Sequence, residues 1–216
     1  MGRILPRPAL ALAGALLALA ALPAGAGMHP TRLLAERLLA EVDDTTWFAE
    51  GTGRKVLYVV IDPNCPYCHK LWERLRGPVE RGELQVRWII VGYLTSTSLG
   101  KAAAILQAED PVAALRVNEE DFGFRDEDPG GGIEPLPEEA IRDETRLALA
   151  ANLALMQNNN LFGVPLAFFR AADGRGFMFE GAPPPDVLKE LLSLIDEEPA
   201  APGGDPGAAP RAGSGG

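Results

Sequence analysis

The chain has 216 residues, with 20 basic against 30 acidic side chains, a net charge of −10 and two cysteines. That acidity argues against nucleic acid, or an anionic membrane surface, as the main partner. The two cysteines are separated by two residues, and a loop that short would constrain the unfolded chain very little as a structural disulfide. The pair reads as chemistry rather than as a clamp.

Residues 1–26 carry a basic start at Arg3 and Arg7, an apolar run over 9–22, and Pro23-Ala24-Gly25-Ala26 ending in an A-x-A pattern. Together they predict a secretory signal peptide cut after Ala26. The apolar run is short for a transmembrane helix and no later stretch is long enough to span a bilayer, so the expectation is an exported protein without membrane insertion after cleavage. An uncleaved N-terminal anchor is the competing reading. In 27–53, taken as an N-terminal helix and linker, Leu34, Leu38 and Val42 recur beside Leu33 and Leu39 at helical spacing, leading into Trp47-Phe48, and Gly51 and Gly53 follow.

The main domain is expected over 54–197. Lys55–Ile61 is a continuous β-branched and aromatic run, suited to a strand buried on both faces. Asp62-Pro63-Asn64-Cys65-Pro66-Tyr67-Cys68-His69 comes next, and then Lys70–Arg76 with helical character, ended by Gly77-Pro78. A second strand over 84–91 completes a β-α-β unit with parallel strands. A helical insert over 98–158 holds candidate helices at 98–108, 111–119 and 137–158, the last with Leu147, Leu149, Leu153 and Met156 as its apolar positions. Between the last two helices, 121–136 is rich in Asp, Glu, Pro and three successive glycines, and reads as a mobile acidic loop. Strands at 166–170 and 176–180 flank Asp173-Gly174, a hairpin signal. A helix from Pro183 through Leu188, Leu191, Leu192 and Ile195 follows, and the Ala-Gly-Pro-Ser tail over 198–216 reads as disordered. Helix, β-α-β, helical insert, β-β-α, with a dithiol at the first strand-to-helix junction, is a thioredoxin-like α/β order.

Cys65 is expected at the start of its helix, where unpaired backbone N–H groups and the macrodipole favour a thiolate. Cys68, one turn on and more buried, can close a disulfide with it. Cys65 is then the nucleophile and Cys68 the resolver of a mixed disulfide, with the Cys65–Cys68 disulfide as the redox group and no further cofactor. Pro66 fits the first helical turn and Tyr67 offers an apolar face beside the reactive sulfur, although either can equally serve local structure. The position of Val59, where some thioredoxin-like proteins place a buried acid serving the second cysteine, has none here. Asp62, Glu73 or a water can substitute, and the sequence does not choose among them.

Asp62-Pro63-x-Cys65-Pro66-Tyr67-Cys68, the strand over 86–92, Lys101-Ala102-Ala103-Ala104-Ile105-Leu106 and Gly163-Val164-Pro165 together resemble the bacterial periplasmic DsbC/DsbG thiol:disulfide interchange proteins, the DsbG branch above all. The likeness runs over 55–195. It implies a periplasmic thiol:disulfide oxidoreductase whose substrates are thiols and disulfides of exported proteins, and a membrane redox partner. It also implies that Val164-Pro165 forms a cis-proline loop against the dithiol and presents the Val164 backbone to an extended client. Two features depart from the pattern. The segment 27–53 is too short for the family's N-terminal dimerisation domain, which admits a monomer, and Val164 stands where the isomerases usually have Thr and DsbA-type oxidases have Val. Oxidase, reductase and isomerase directions all stay open.

Rival readings remain. Cys65-Pro66-Tyr67-Cys68-His69 also matches C-x-x-C-H, the covalent haem motif, with His69 as one axial ligand and Met156 or Met178 as the other. A zinc site is weaker, because His29 is the one other histidine, and no metal site is expected. The remaining reading is a client-binding chaperone with an incidental dithiol, its surface built from Trp47, Trp72 and Trp88, residues that otherwise belong in a core.

Overall fold

The computed structural model describes residues 30–123 and 130–197. The expectations for 1–26, His29 and 198–216 lie outside the described residues. In chain order the elements are α1 (Pro30–Glu41), a 3-10 turn (Val42–Asp44), β1 (Trp47–Glu50), β2 (Lys55–Ile61), α2 (Pro66–Glu80), β3 (Leu84–Ile90), α3 (Ser98–Gln107), α4 (Pro111–Glu120), a second 3-10 turn (Glu138–Ala140), α5 (Asp143–Asn158), β4 (Leu166–Arg170), β5 (Gly176–Glu180) and α6 (Pro185–Ser193).

The strands form one sheet in the order β1-β3-β2-β4-β5. β2 and β3 are parallel, as a helical crossover requires, and β4 and β5 form the antiparallel hairpin expected from Asp173-Gly174. The two-residue period of β2 divides the interior. Leu57, Val59 and Ile61 face a core with Cys65, Cys68, Leu71 and Leu75 of the α2 side, whereas Val56, Tyr58 and Val60 face a second core with Leu38 of α1 and Leu155 and Met156 of α5. A strand buried on both faces shows no hydrophobic alternation, which is why its continuous apolar run reads as a central strand.

The segment read as a linker supplies an edge strand. β1 pairs antiparallel with β3, Phe48 opposite Trp88. Its alternation is hidden because an inward position is Glu50, which is buried; Arg76 donates to both of its oxygens at 2.6 and 2.8 Å, and the Trp88 indole donates at 2.9 Å. Gly51 has φ +90°, and a Cβ there would lie 2.4 Å from the Leu84 carbonyl oxygen. The glycines therefore make a tight return onto β3 rather than a loose spacer.

Other boundaries also moved. Helix α2 does not end at Gly77-Pro78 but carries Pro78 inside it and continues to Glu80. Val79, one position on, is buried in the α2-side core. Burying such a side chain stabilises by about 1.5–3 kcal/mol, on the scale of the roughly 3 kcal/mol an interior proline costs a helix. The expected helix over 137–158 is a 3-10 turn followed by α5, and Leu147, expected to be apolar-facing, is 72% exposed. Helix α6 stops at Ser193, and Ile195 instead bridges to Ala171.

The acidic loop is not free in its described part. Gly131 N–H donates to the Pro63 carbonyl at 3.0 Å, Gly132 N–H to that of Asn118 at 2.9 Å, and Leu136 N–H to that of Gly100 at 3.1 Å, while Ile133 and Leu136 pack on the core. Residues 130–136 are a strap across the cysteine turn.

Candidate active site

The turn that ends β2 is built on Asp62. Its buried carboxylate accepts from Asn64 N–H at 3.0 Å and the Ser98 hydroxyl at 2.7 Å through one oxygen, and from the N–H groups of Tyr93 and Leu94 at 2.8 and 3.0 Å through the other. Asn64, next in line, donates to the Thr95 and Thr97 hydroxyls at 2.7 and 2.8 Å, and accepts from Lys101 Nζ at 2.9 Å. One short loop is thereby tied to the stretch after β3, to the start of α3, and through Lys101 to the Gly131 carbonyl of the strap at 2.7 Å.

Cys65 is the N-cap of α2, and its sulfur accepts from the Cys68 N–H at 3.2 Å. Pro66 begins the helix, where its missing N–H leaves no partner wanting. Both cysteines are free thiols and both are buried, yet they differ in acidity. The Cys68 thiol donating to Cys65, with the N–H groups of Cys68 and Tyr67, lowers the Cys65 thiol below the ordinary range, against burial and the Asp62 charge. Burial, followed by the hydrogen bond to Cys65 and the charge of Cys65, pushes the Cys68 thiol well above it. Thiolate character at a helix N-terminus and a buried partner one turn later form an unequal pair.

The far wall comes from distant sequence. Val164-Pro165 is a cis peptide, and the Cys65 thiol lies 3.4 Å from the Val164 carbonyl oxygen. The Tyr93 hydroxyl, held in place by the backbone bond to Asp62, donates to the Phe162 carbonyl at 2.7 Å. Burial, then the negative charge of Asp62, pushes that phenol up to about 12. Tyr67, between the two cysteines, is 60% exposed, and Phe162, two residues before Val164, is 70% exposed.

His69 does not point to solvent. It is buried, with Nδ1 3.2 Å from a carboxylate oxygen of Glu119 and Nε2 3.6 Å from Glu73, and its ring stacks on Phe122 at 4.7 Å. Met156 is buried in, and Met178 packs against, the core on the opposite side of the sheet from the cysteines. The axial pairs that a haem would need are therefore not brought together. Trp72 and Trp88 are buried in the α2-side core and Trp47 lies half-buried beneath the Arg87 guanidinium, so the tryptophans do not form a client surface. Among the described residues no helix is long and apolar enough to cross a membrane.

Glu119 was not singled out by sequence reasoning. It is buried on α4, takes a hydrogen bond from Asn118 Nδ2 at 3.1 Å, and is raised above the ordinary carboxylate range by burial, partly offset by hydrogen bonds from His69 and Asn118. No local pattern marks it among the acids of a helix end. The hub role of Asp62 was equally hidden, because Tyr93, Leu94 and Ser98 lie beyond both α2 and β3 in the chain.

An α/β sheet with a cysteine pair at the N-terminus of its first crossover helix, facing a cis-proline loop, defines a thioredoxin-type fold and site. The chain belongs to the thioredoxin-like domain family, whose model matches residues 43–195. Among individual proteins, it is 35% identical to the thiol:disulfide interchange protein DsbG of Pseudomonas aeruginosa over 161 residues, 74% of this chain and 60% of that protein. The chain thus spans less than two thirds of that relative. In fold it is similar to a linker-deletion mutant of Proteus mirabilis ScsC (TM-score 0.58, 20% identity, covering 76% of this chain and 82% of that one). It is also similar to a periplasmic thioredoxin-like protein of Salmonella enterica serovar Typhimurium (TM-score 0.52, 20% identity, covering 74% and 94%).

Proposed function

We propose that the protein is a periplasmic thiol:disulfide oxidoreductase acting on exported proteins, with Cys65 as nucleophile and Cys68 as resolver. The observation that carries this reading is the asymmetry of the pair: one sulfur capped by amide hydrogens beside the Val164 carbonyl, the other sealed beneath it. The Cys65 thiolate attacks a client disulfide and one client sulfur leaves as a thiolate. Cys68, having lost its proton, then attacks Cys65 Sγ, closes the Cys65–Cys68 disulfide and releases the second client sulfur. Two electrons pass from the enzyme dithiol to the client. The steps are reversible, so oxidation, reduction and isomerisation all run through them, and a membrane redox partner would reset the pair.

The wall at Val164-Pro165 suits an extended client strand laid beside Cys65, with Tyr67 and Phe162 as apolar contacts. The periplasmic placement is supported by the leader-like pattern of 1–26 and by the likeness to DsbG. Cys65→Ser should abolish exchange with a disulfide-bonded peptide. Cys68→Ser should instead trap mixed disulfides, seen as dithiothreitol-sensitive bands of higher mass on a gel. Exchange retained by Cys65→Ser would overturn the assignment, and no trapped species in Cys68→Ser would remove Cys68 as resolver.

A further inference from the structure

If the protein works as proposed above, resolution of the mixed disulfide needs an acceptor for the Cys68 proton in a site closed to bulk water. Below the dithiol, β2 presents Val59, which is apolar and buried. Among the described residues the buried carboxylates are Glu50, Asp62 and Glu119. Glu50 is neutralised by the two-pronged Arg76 contact and the Trp88 indole. Asp62 has its four hydrogen-bonding positions taken by three backbone N–H groups and the Ser98 hydroxyl, so a proton arriving there would break the turn that holds Cys65. Glu119 differs from both: its partners are the Asn118 amide and the imidazole of His69, the residue following Cys68.

We propose that the buried Glu119–His69 pair accepts the proton of Cys68 during resolution and exchanges it with solvent through Glu73. The inference rests on the dithiol reading, and Glu119 is a positioning residue in it, acting through His69 and Cys68 rather than on the client. The outward leg of the route is laid out in the side chains. Glu119 meets His69 Nδ1 at 3.2 Å, the other ring nitrogen lies 3.6 Å from Glu73, and Glu73 is at the surface. Phe122 and Trp72 stack with the imidazole, at 4.7 and 6.3 Å between centroids, and hold it between the two carboxylates. The strap and α4 keep the pair against the cysteine turn, since Asn118 donates both to Glu119 and to the Pro63 carbonyl.

The electrostatics agree with this placement. The charge of Glu119 reaches Cys68 and adds to what holds that thiol protonated, while burial holds the Glu119 carboxyl itself above its ordinary range. Two groups that each resist ionising beside the other can hand one proton back and forth, so the thiolate forms while the carboxyl or imidazole holds the proton. The titratable and charged neighbours that share in this are Cys68, His69, Glu73 and Arg76 of α2, Cys65 and Asp62 of the turn, and Tyr93 after β3. In the balanced step, Cys68 S–H gives its proton to the pair, the sulfur takes Cys65 Sγ, the departing client thiolate takes a proton from solvent, and the pair returns its own proton to solvent through Glu73.

Reaction of the reduced protein with dithionitrobenzoate, followed by absorbance in stopped flow, separates the two sulfurs. The first coloured thiolate reports attack by Cys65, and the second reports resolution by Cys68. In Glu119→Gln the second phase should slow about tenfold or more near pH 7, the usual range for loss of an acid–base group. The first phase should stay within about twofold, and the second should rise steeply with pH, variant and wild type converging only where hydroxide ionises Cys68, above the ordinary thiol range. His69→Asn should show the same profile and decides the matter if Glu119→Gln fails to fold. A second phase unaltered in pH dependence, or both phases slowed by one factor at every pH, would overturn the inference while leaving the dithiol reading intact. Fewer than two thiolates released by the wild type would overturn the dithiol reading and this one with it.

Discussion

Cys65 and Cys68 carry the same side chain, and their difference lies wholly in what surrounds them. Cys65 caps a helix and collects hydrogen bonds from Cys68 and from two amides, which favour its thiolate, whereas Cys68 has lost its water and gained a negative neighbour. Glu119 follows the same logic in reverse. Burial holds its carboxyl up in the folded chain, so between the unfolded and folded values the unfolded state has released a proton that the native state still binds. Stability at this position is then full at acid pH and declines as pH rises through the folded value. Glu119→Gln keeps the shape and an acceptor for His69 without that loss. It should be more stable than the wild type at neutral pH, with the gap closing below about pH 4, where the unfolded carboxyl also holds its proton. Urea denaturation at the two pH values measures this, and a variant less stable at neutral pH would show that the carboxylate is a net stabiliser.

At the scale of elements, the strap over 130–136 turns three glycines into part of the site. A Cβ on Gly131 would lie 1.9 Å from the Asn118 side-chain oxygen and 2.1 Å from its Cγ, and Asn118 is fully buried with nowhere to move. Gly131→Ala must therefore push the strap off Asn118 and the Pro63 carbonyl, at a cost of about 1–3 kcal/mol for overpacking. We expect a matching fall in denaturation midpoint together with slower disulfide exchange, because the Pro63 carbonyl belongs to the turn that carries Cys65. Lost stability with unchanged exchange would confine the strap to a structural role. The strap reads as loop from sequence because glycine, proline and acid are what mobile loops contain. Its anchors, the carbonyls of Pro63, Asn118 and Gly100, are all supplied from elsewhere in the chain.

Across the whole molecule, the helical insert is held to the sheet by a buried amide. Asn152 of α5 donates to the Thr46 and Ile90 carbonyls at 3.0 and 2.9 Å and accepts from the Thr46 N–H at 2.8 Å, joining the insert to the start of β1 and the end of β3. Asn152→Ala would strand these backbone groups in a dry interior, at about 1–3 kcal/mol for each group left unsatisfied. A loss of about 3 kcal/mol or more in urea denaturation is expected; a loss below about 1 kcal/mol would mean that water replaces the amide.

Periodicity and turn chemistry were enough for the central strand, the crossover, the hairpin and the position of the cysteines, since those depend on neighbours a few residues apart. The thioredoxin-like order and the dithiol at its strand-to-helix junction were legible for that reason. What the local pattern could not carry was set by long-range partners: Arg76 and Trp88 admit Glu50 to the edge strand β1, burial of Val79 carries α2 through Pro78, and Asn118 and Pro63 order the glycine strap. The same holds at the site. The identity of the two sulfurs is written in four consecutive residues, but the unequal acidity between them, the Val164 wall and the Glu119–His69 pair exist only where the fold excludes water and brings distant polar groups within hydrogen-bonding distance.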